Sequence, residues 1–160
     1  MEQPPQINPH NKAEYPPMHT AEHILNATMV KMFGCPRSRN THIERKKSKC
    51  DYLLACEPTA EQIAGIEAKV NEVIGMHLPV TVEYMPKEQA AAYVDLSKLP
   101  DTATGTLRIV HIGEYDTCAC AGDHVENTKE IAPFKIISAD FTKEENEPCG
   151  KWRVRFKLME

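Results

Sequence analysis

Two imidazoles four residues apart open the chemistry of this chain, in the run His19-Thr20-Ala21-Glu22-His23. On a helix, residues at i and i+4 share one face, one turn apart, so the pair can grip a single ion. Far along the chain, Cys118-Ala119-Cys120-Ala121-Gly122-Asp123-His124 supplies a thiolate and a third imidazole in a glycine-containing turn. Together His19, His23, Cys120 and His124 make a four-donor set, and sulfur with imidazole nitrogen favours zinc over calcium or magnesium. The competing reading is a pair of surface or core histidines and a turn holding an ordinary buried cysteine. Cys118 rivals Cys120 as the sulfur donor, from two residues further from His124. His10, His42, His77 and His111 read as surface or packing residues. Glu22 adjoins a ligand and is the candidate general base, against the alternative of a solvent-facing helical glutamate.

The elements that must position these groups follow from the pattern around them. A helix is expected after Pro16-Pro17, running to about Phe33, where Gly34 and Pro36 stop it. Met18, Ala21, Leu25, Thr28, Met29 and Met32 give it a mostly apolar stripe. Strands are expected over Thr41–Arg45 and Lys49–Cys56. Thr59 caps a second helix with Gln62 in the capping-box position, Ile63, Ile66, Val70, Val73 and Ile74 form its apolar face, and Gly75 suits its C-terminal cap. Further expected elements are a strand over Pro79–Met85, a short helix over Lys87–Tyr93, a loop over Asp95–Gly105 and a strand over Thr106–Ile112. Beyond the Cys/His segment come strands over Phe134–Ala139 and Lys151–Leu158, with Lys143–Gly150 as a surface turn. Helices and strands mix without strict alternation, so the pattern predicts an α+β fold with a mixed, largely antiparallel sheet and two main helices.

At 160 residues the chain fits one domain. Residues 1–17, with five prolines, read as an N-terminal arm, and residues 18–160 as the folded, zinc-binding domain. The arm has no basic start followed by an apolar stretch, which excludes a secretory signal, and no apolar run is long enough for a membrane span. Six cysteines in such a chain read as thiols or metal ligands rather than disulfides, with the cytoplasm as the default compartment.

A net charge of −4 argues against a globally nucleic-acid-binding surface, yet two local patches are basic. Arg37, Arg39, Arg45, Lys46, Lys47 and Lys49 form one run. Lys151, Arg153, Arg155 and Lys157 alternate with Trp152, Val154, Phe156 and Leu158, which on a strand separates cations from apolar groups. Such faces are either ordinary solvated surfaces or phosphate contacts.

The residues HTAEHIL followed by CAGDHVENTKEIAPFKI resemble the editing domain of alanyl- and threonyl-tRNA synthetases. The similarity is greatest to the small stand-alone alanyl-tRNA editing proteins (AlaX-like) and covers roughly Met18 to Leu158. The resemblance implies that fold, and hydrolysis of a wrongly attached serine or glycine from the tRNA for alanine. It also implies zinc held at His19, His23, Cys120 and His124, and a tRNA partner, for which Arg37, Arg39, Lys46, Lys47, Arg153 and Arg155 of the basic patches are the candidate contacts. Two departures alter the pocket wall: Ala121-Gly122-Asp123 stands where relatives often have Gly-Gly-Thr, and Lys129 where they often have glycine. No synthetase catalytic core, anticodon module or added N-terminal domain is recognisable, so the expected form is the minimal one.

Four protein ligands make a closed tetrahedron, whereas catalytic zinc keeps one position open. One ligand is therefore loose, or coordination expands with substrate, or the zinc only organises the pocket. His19-x-x-Glu22-His23 also fits the inverted zinc-protease pattern, which leaves Cys120 and His124 unexplained. A lyase of the S-ribosylhomocysteine (LuxS-like) type would need only one downstream ligand, so His124 discriminates. A non-catalytic, zinc-stabilised tRNA-binding module is the remaining alternative. Oligomeric state is open.

Overall fold

The computed structural model describes residues 15–38, 40–90 and 106–159. Most of the expected arm, the Asp95–Gly105 loop, the end of the Lys87–Tyr93 helix and Arg39 lie outside the described residues.

Helix α1 spans Pro16–Phe33, with proline in its first turn, where a missing N–H costs nothing. Gly34 ends it in the left-handed region (φ 67°), donating its N–H to Val30 O. The expected one-sided stripe understates this helix. Every residue from Met18 to Met29 is buried, including the polar His19, Thr20, Glu22, His23, Asn26 and Thr28. Polar groups at His19, Glu22, His23 and Asn26 follow i, i+3, i+4, i+7 spacing, so the molecule buries a polar helical face as well as an apolar one.

Strands β1 (Asn40–His42) and β2 (Ser48–Leu54) form a hairpin whose turn carries the exposed Arg45, Lys46 and Lys47. Strand β1 stops short of the expected Arg45. There Ser48 Oγ accepts from Glu44 N and donates to Glu44 O, turning the chain instead of extending it. Helix α2 (Ala60–Gly75) has the expected capping box: Thr59 Oγ1 accepts from Gln62 N and Gln62 Oε1 from Thr59 N. Gly75 is its last helical residue rather than a left-handed cap. The left-handed turn falls on His77 (φ 52°), whose carbonyl accepts from Asn127 Nδ2.

Strand β3 (Val80–Pro86), a single turn α3 (Lys87–Ala90), β4 (Thr106–Ile112) and β5 (Asp116–Ala119) follow, then a 3-10 turn (Thr128–Glu130), β6 (Phe134–Thr142) and β7 (Gly150–Leu158). The strands divide between two antiparallel sheets, of order β1-β2-β7-β6 and β3-β4-β5, in place of one mixed sheet. The α+β class is as expected. Strand β5 lacks the apolar alternation that would mark it in sequence.

Strand β7 has the expected two faces. Trp152, Val154, Phe156 and Leu158 are buried against α1 and α2 residues such as Leu25, Ile66 and Val70 in one core cluster. Each such side chain contributes about 1.5–3 kcal/mol on full burial. Helix α2 also guards the edge strand β6. Asn71 donates to Phe134 O and accepts from Phe134 N, while Glu67 Oε1 accepts from Ile136 N. These bonds satisfy edge groups that would otherwise invite another strand. Among the described residues no helix is long and apolar enough to cross a membrane.

Candidate metal centre

Helix α1 delivers His19 and His23 to one face. The segment leaving β5 brings Cys120 and His124 to meet them, and one donor atom from each of the four lies within 4.8 Å of the others. The three imidazoles converge, with ring centroids 4.1 Å (His19–His124), 4.5 Å (His23–His124) and 4.9 Å (His19–His23) apart. Cys120 Sγ lies 3.3 Å from His19 Nε2. Tetrahedral zinc with bonds of about 2.0–2.3 Å separates its donors by roughly 3.3–3.7 Å, so a small inward movement closes the set around one ion.

Each ring is aimed through its other nitrogen. His19 Nδ1 donates to Asp123 O at 3.0 Å. His124 Nδ1 lies 2.9 Å from Thr20 Oγ1, and that oxygen also accepts from Val125 N. His23 Nδ1 lies 3.5 Å from Asp116 Oδ2. All three Nε2 atoms are thereby turned toward the centre. His124 Nε2 is buried and has no hydrogen-bond partner, which is costly in a folded protein unless the lone pair is used. This orphaned nitrogen, with three imidazoles and a thiol converging, is the donor chemistry zinc takes, so the residues fit the ion.

The downstream segment is held in place by groups that sequence reasoning passed over. Arg108 Nη1 donates to Cys120 O (2.7 Å) and Gly122 O (2.8 Å), and Cys120 N returns a bond to Arg108 O. Gly122 sits against His19: a Cβ there would stand 2.7 Å from Nδ1. Only glycine lets the turn pass so close to the ring. Thr20 was visible in sequence merely as a residue between the two histidines.

Burial sets the resting protonation of two of the four donors. Burial pushes the Cys120 thiol up to about 12, although a bond from the Gly122 backbone works the other way. Burial, then the neighbouring His23 and His19, hold His124 well below the ordinary imidazole range. The neutral imidazole needed of a ligand is thus the resting form of His124, whereas Cys120 must give up a proton to bind metal.

Glu22 is buried, 7% exposed, which removes the solvent-facing alternative. Its Oε2 lies 3.6 Å from His23 Nε2, the centre-facing nitrogen. Arg37 turns inward. Its guanidinium grips Asp116 with two bonds, of 2.6 and 3.2 Å, so it is engaged beneath the centre instead of facing solvent as a phosphate contact would. Burial works against the charge on Arg37, but Asp116, Cys118 and Glu22 outweigh it and keep it protonated.

The other expected phosphate contacts lie away from the four ligands in the chain. Lys46 and Lys47 are exposed at the β1–β2 turn. Arg153 and Arg155 share the outward face of β7 with Lys151 and Lys157. Cross-strand register adds Lys49 opposite Arg155 and Lys135 opposite Lys157 to that face. Arg153 pairs with Asp51 and Arg155 with Asp140. His111 Nδ1 lies 3.1 Å from Thr117 Oγ1 and His42 Nε2 3.0 Å from Glu44 Oε1.

The chain is similar over most of its length to known proteins. The family described as "Threonyl and Alanyl tRNA synthetase second additional domain" matches residues 107–155, the stretch that holds Cys120 and His124. An alanine–tRNA ligase of Methylacidiphilum infernorum (isolate V4) is 34% identical over 146 residues, covering 86% of this chain and 16% of the ligase. Ligases of the same name from Coxiella burnetii (strain Dugway 5J108-111) and Treponema denticola are 30% and 28% identical, over 75% and 88% of this chain. The chain spans only 14% and 23% of the length of those two relatives. Most of the chain is thus similar to one part of the alanine–tRNA ligases, and its residues 107–155 match the threonyl and alanyl tRNA synthetase second additional domain.

Proposed function

We propose that this protein is a zinc-dependent aminoacyl-tRNA deacylase, which hydrolyses the ester of serine or glycine wrongly attached to the tRNA for alanine and acts in trans. The observation that carries the reading is the meeting of His19, His23, Cys120 and His124 donors within 4.8 Å, on a chain homologous to alanine–tRNA ligases. His124 favours this reading over a lyase with a single downstream ligand, because its Nε2 is buried among the other imidazoles with no hydrogen-bond partner.

Zinc bound by these four residues would polarise the ester carbonyl, lower the pKa of a bound water or anchor the substrate's amine or hydroxyl. The chain's own work is positioning and proton transfer. Glu22, buried and 3.6 Å from His23 Nε2, is the candidate base. It takes a proton from water as the water oxygen bonds to the acyl carbon, and that proton passes to the ribose oxygen as the ester bond breaks. The products are the free amino acid and the tRNA with a free ribose hydroxyl.

The outward face of β7 supports a polyanion partner. Lys49 stands directly opposite Arg155 and Lys135 opposite Lys157. Like charges facing each other across strands cost stability; Asp140 already offsets part of this at Arg155, and a phosphate backbone would relieve it between Lys135 and Lys157. Lys151, Arg155 and Lys157 there, with Lys46 and Lys47 at the β1–β2 turn and Arg39 of the same basic run in the sequence, form the proposed tRNA contact, while Arg153 is engaged by Asp51.

The test is release of serine or glycine from Ser-tRNA and Gly-tRNA for alanine by the zinc-loaded protein, beside a His23→Ala, Cys120→Ala double variant. Rapid release by the wild type alone supports the reading. Absence of release by folded, zinc-loaded wild type would overturn it.

A further inference from the structure

The structure gives each imidazole of the centre a different partner: a main-chain carbonyl for His19, a hydroxyl for His124 and a carboxylate for His23. Of these three, only the carboxylate carries a full charge, and it is the one most elaborately held. Asp116 begins β5, directly opposite Ile112, after a turn in which Gly113 takes positive φ and Tyr115 N donates to Ile112 O. The next-door Tyr115 hydroxyl lies 2.7 Å from Thr28 Oγ1, which ties this hairpin to the helix that carries His23. Arg37 completes the arrangement. It leaves α1 through the Gly34 cap, its neighbour Ser38 donates N–H to Asn26 Oδ1 on that helix, and its fork closes on both oxygens of Asp116.

We infer that Asp116, clamped by Arg37, is a positioning residue that fixes the ring orientation and tautomer of His23. Asp116 Oδ2 stands 3.5 Å from Nδ1 and Glu22 Oε2 3.6 Å from Nε2; with a metal on Nε2, Asp116 is the carboxylate placed to hold the Nδ1 proton and make the ring a stronger donor. Arg37 stops the aspartate from swinging away or folding onto the site. Asp116 is not itself a ligand and touches no substrate in this account. The inference rests on the metal-binding reading above, and assigns Arg37 to the support of the centre.

The same Arg–Asp chemistry supplies its own control. Asp51 accepts two bonds from Arg153 across β2 and β7 and a third from Asn40, and bonds to none of the four metal-site residues. The experiment titrates zinc into the metal-free full chain against a competing chelator. It also records the visible spectrum of the cobalt-substituted protein for wild type, Asp116→Asn, Asp51→Asn and an Arg37→Gln/Asp116→Asn double variant. The double variant guards against misfolding, since it leaves no buried guanidinium facing a neutral amide.

Asp116→Asn is expected to weaken zinc binding by about 10–100-fold and to shift the cobalt bands. The double variant should melt higher than the single one yet bind zinc no better, and Asp51→Asn should bind zinc like wild type. Wild-type affinity and an unchanged cobalt spectrum in Asp116→Asn would overturn the inference. So would full recovery of affinity in the double variant, which would mean a merely structural ion pair. Failure of wild type to bind zinc at all is a separate arm, and would take down the metal-binding reading first.

Discussion

Two arginine–aspartate forks stand in this molecule, and their chemistry is nearly identical. Arg37 meets Asp116 at 2.6 and 3.2 Å, and Arg153 meets Asp51 at 2.8 and 3.0 Å. Their surroundings differ. Asp51 also accepts from Asn40 Nδ2, so its fork knits β1, β2 and β7 on the outward face of a sheet. Asp116 turns one oxygen to within 3.5 Å of a histidine whose other nitrogen faces three more donors. A charge pair acquires a chemical role from what its remaining lone pairs touch. One fork ties strands of a sheet together; the other is the one proposed to aim a metal ligand.

The comparison breaks most completely when the metal side is removed. Losing a ligand outright, as in His23→Ala or Cys120→Ala, is expected to cut zinc affinity by more than the roughly 10–100-fold typical of outer partners and to abolish deacylation. Chelator competition and a release assay check this. Gly122→Ala comes next. Its added methyl must displace His19, from which an ideal Cβ stands only 2.7 Å at Nδ1, so zinc binding should fall by about tenfold or more. Wild-type affinity in that variant would show that His19 is not held where the turn presses on it.

Asp51→Asn sharpens the contrast from the other side. Its loss should appear as a melting point lower by a few degrees, with zinc affinity unchanged. Acid should expose the same pair. Burial alone would raise the Asp51 carboxyl, but bonds from Arg153 and Asn40 bring it below its usual 3.8. A group depressed in the folded state contributes stability above its unfolded pKa and loses it as pH falls through the folded value. Melting followed below about pH 4 should therefore decline less steeply in Asp51→Asn than in wild type. The smallest effect belongs to the exposed turn: Lys46→Glu with Lys47→Glu should weaken tRNA binding by a few-fold and flatten its dependence on salt. Filter binding at several salt concentrations checks it.

The four converging donors were legible because metal chemistry leaves a spacing in sequence. Two histidines one helical turn apart and a cysteine four before a histidine need little tertiary information. The helix carrying the first pair was legible too, through its prolines and Gly34, and so was the alternation of β7. What stayed hidden depended on long-range packing. Glu22 looked like a surface residue, because nothing in its neighbourhood reveals that both faces of α1 are covered. Arg37 sat in a run of cations and was grouped with them, although its partner lies on a hairpin 79 residues away. Asp116 and Arg108 gave no local signal, since β5 is short and polar. The division into two sheets was equally invisible: which strands pair is decided by register across distant segments.

Ester hydrolysis at this four-residue centre, as proposed, stands or falls with a zinc titration. Metal-free protein would be given increasing zinc while release of serine from Ser-tRNA for alanine is timed. The account predicts a rate that rises with bound zinc, levels at one ion per chain and stays at background in the His23→Ala, Cys120→Ala variant. A rate indifferent to zinc, or equal in that variant, would contradict it.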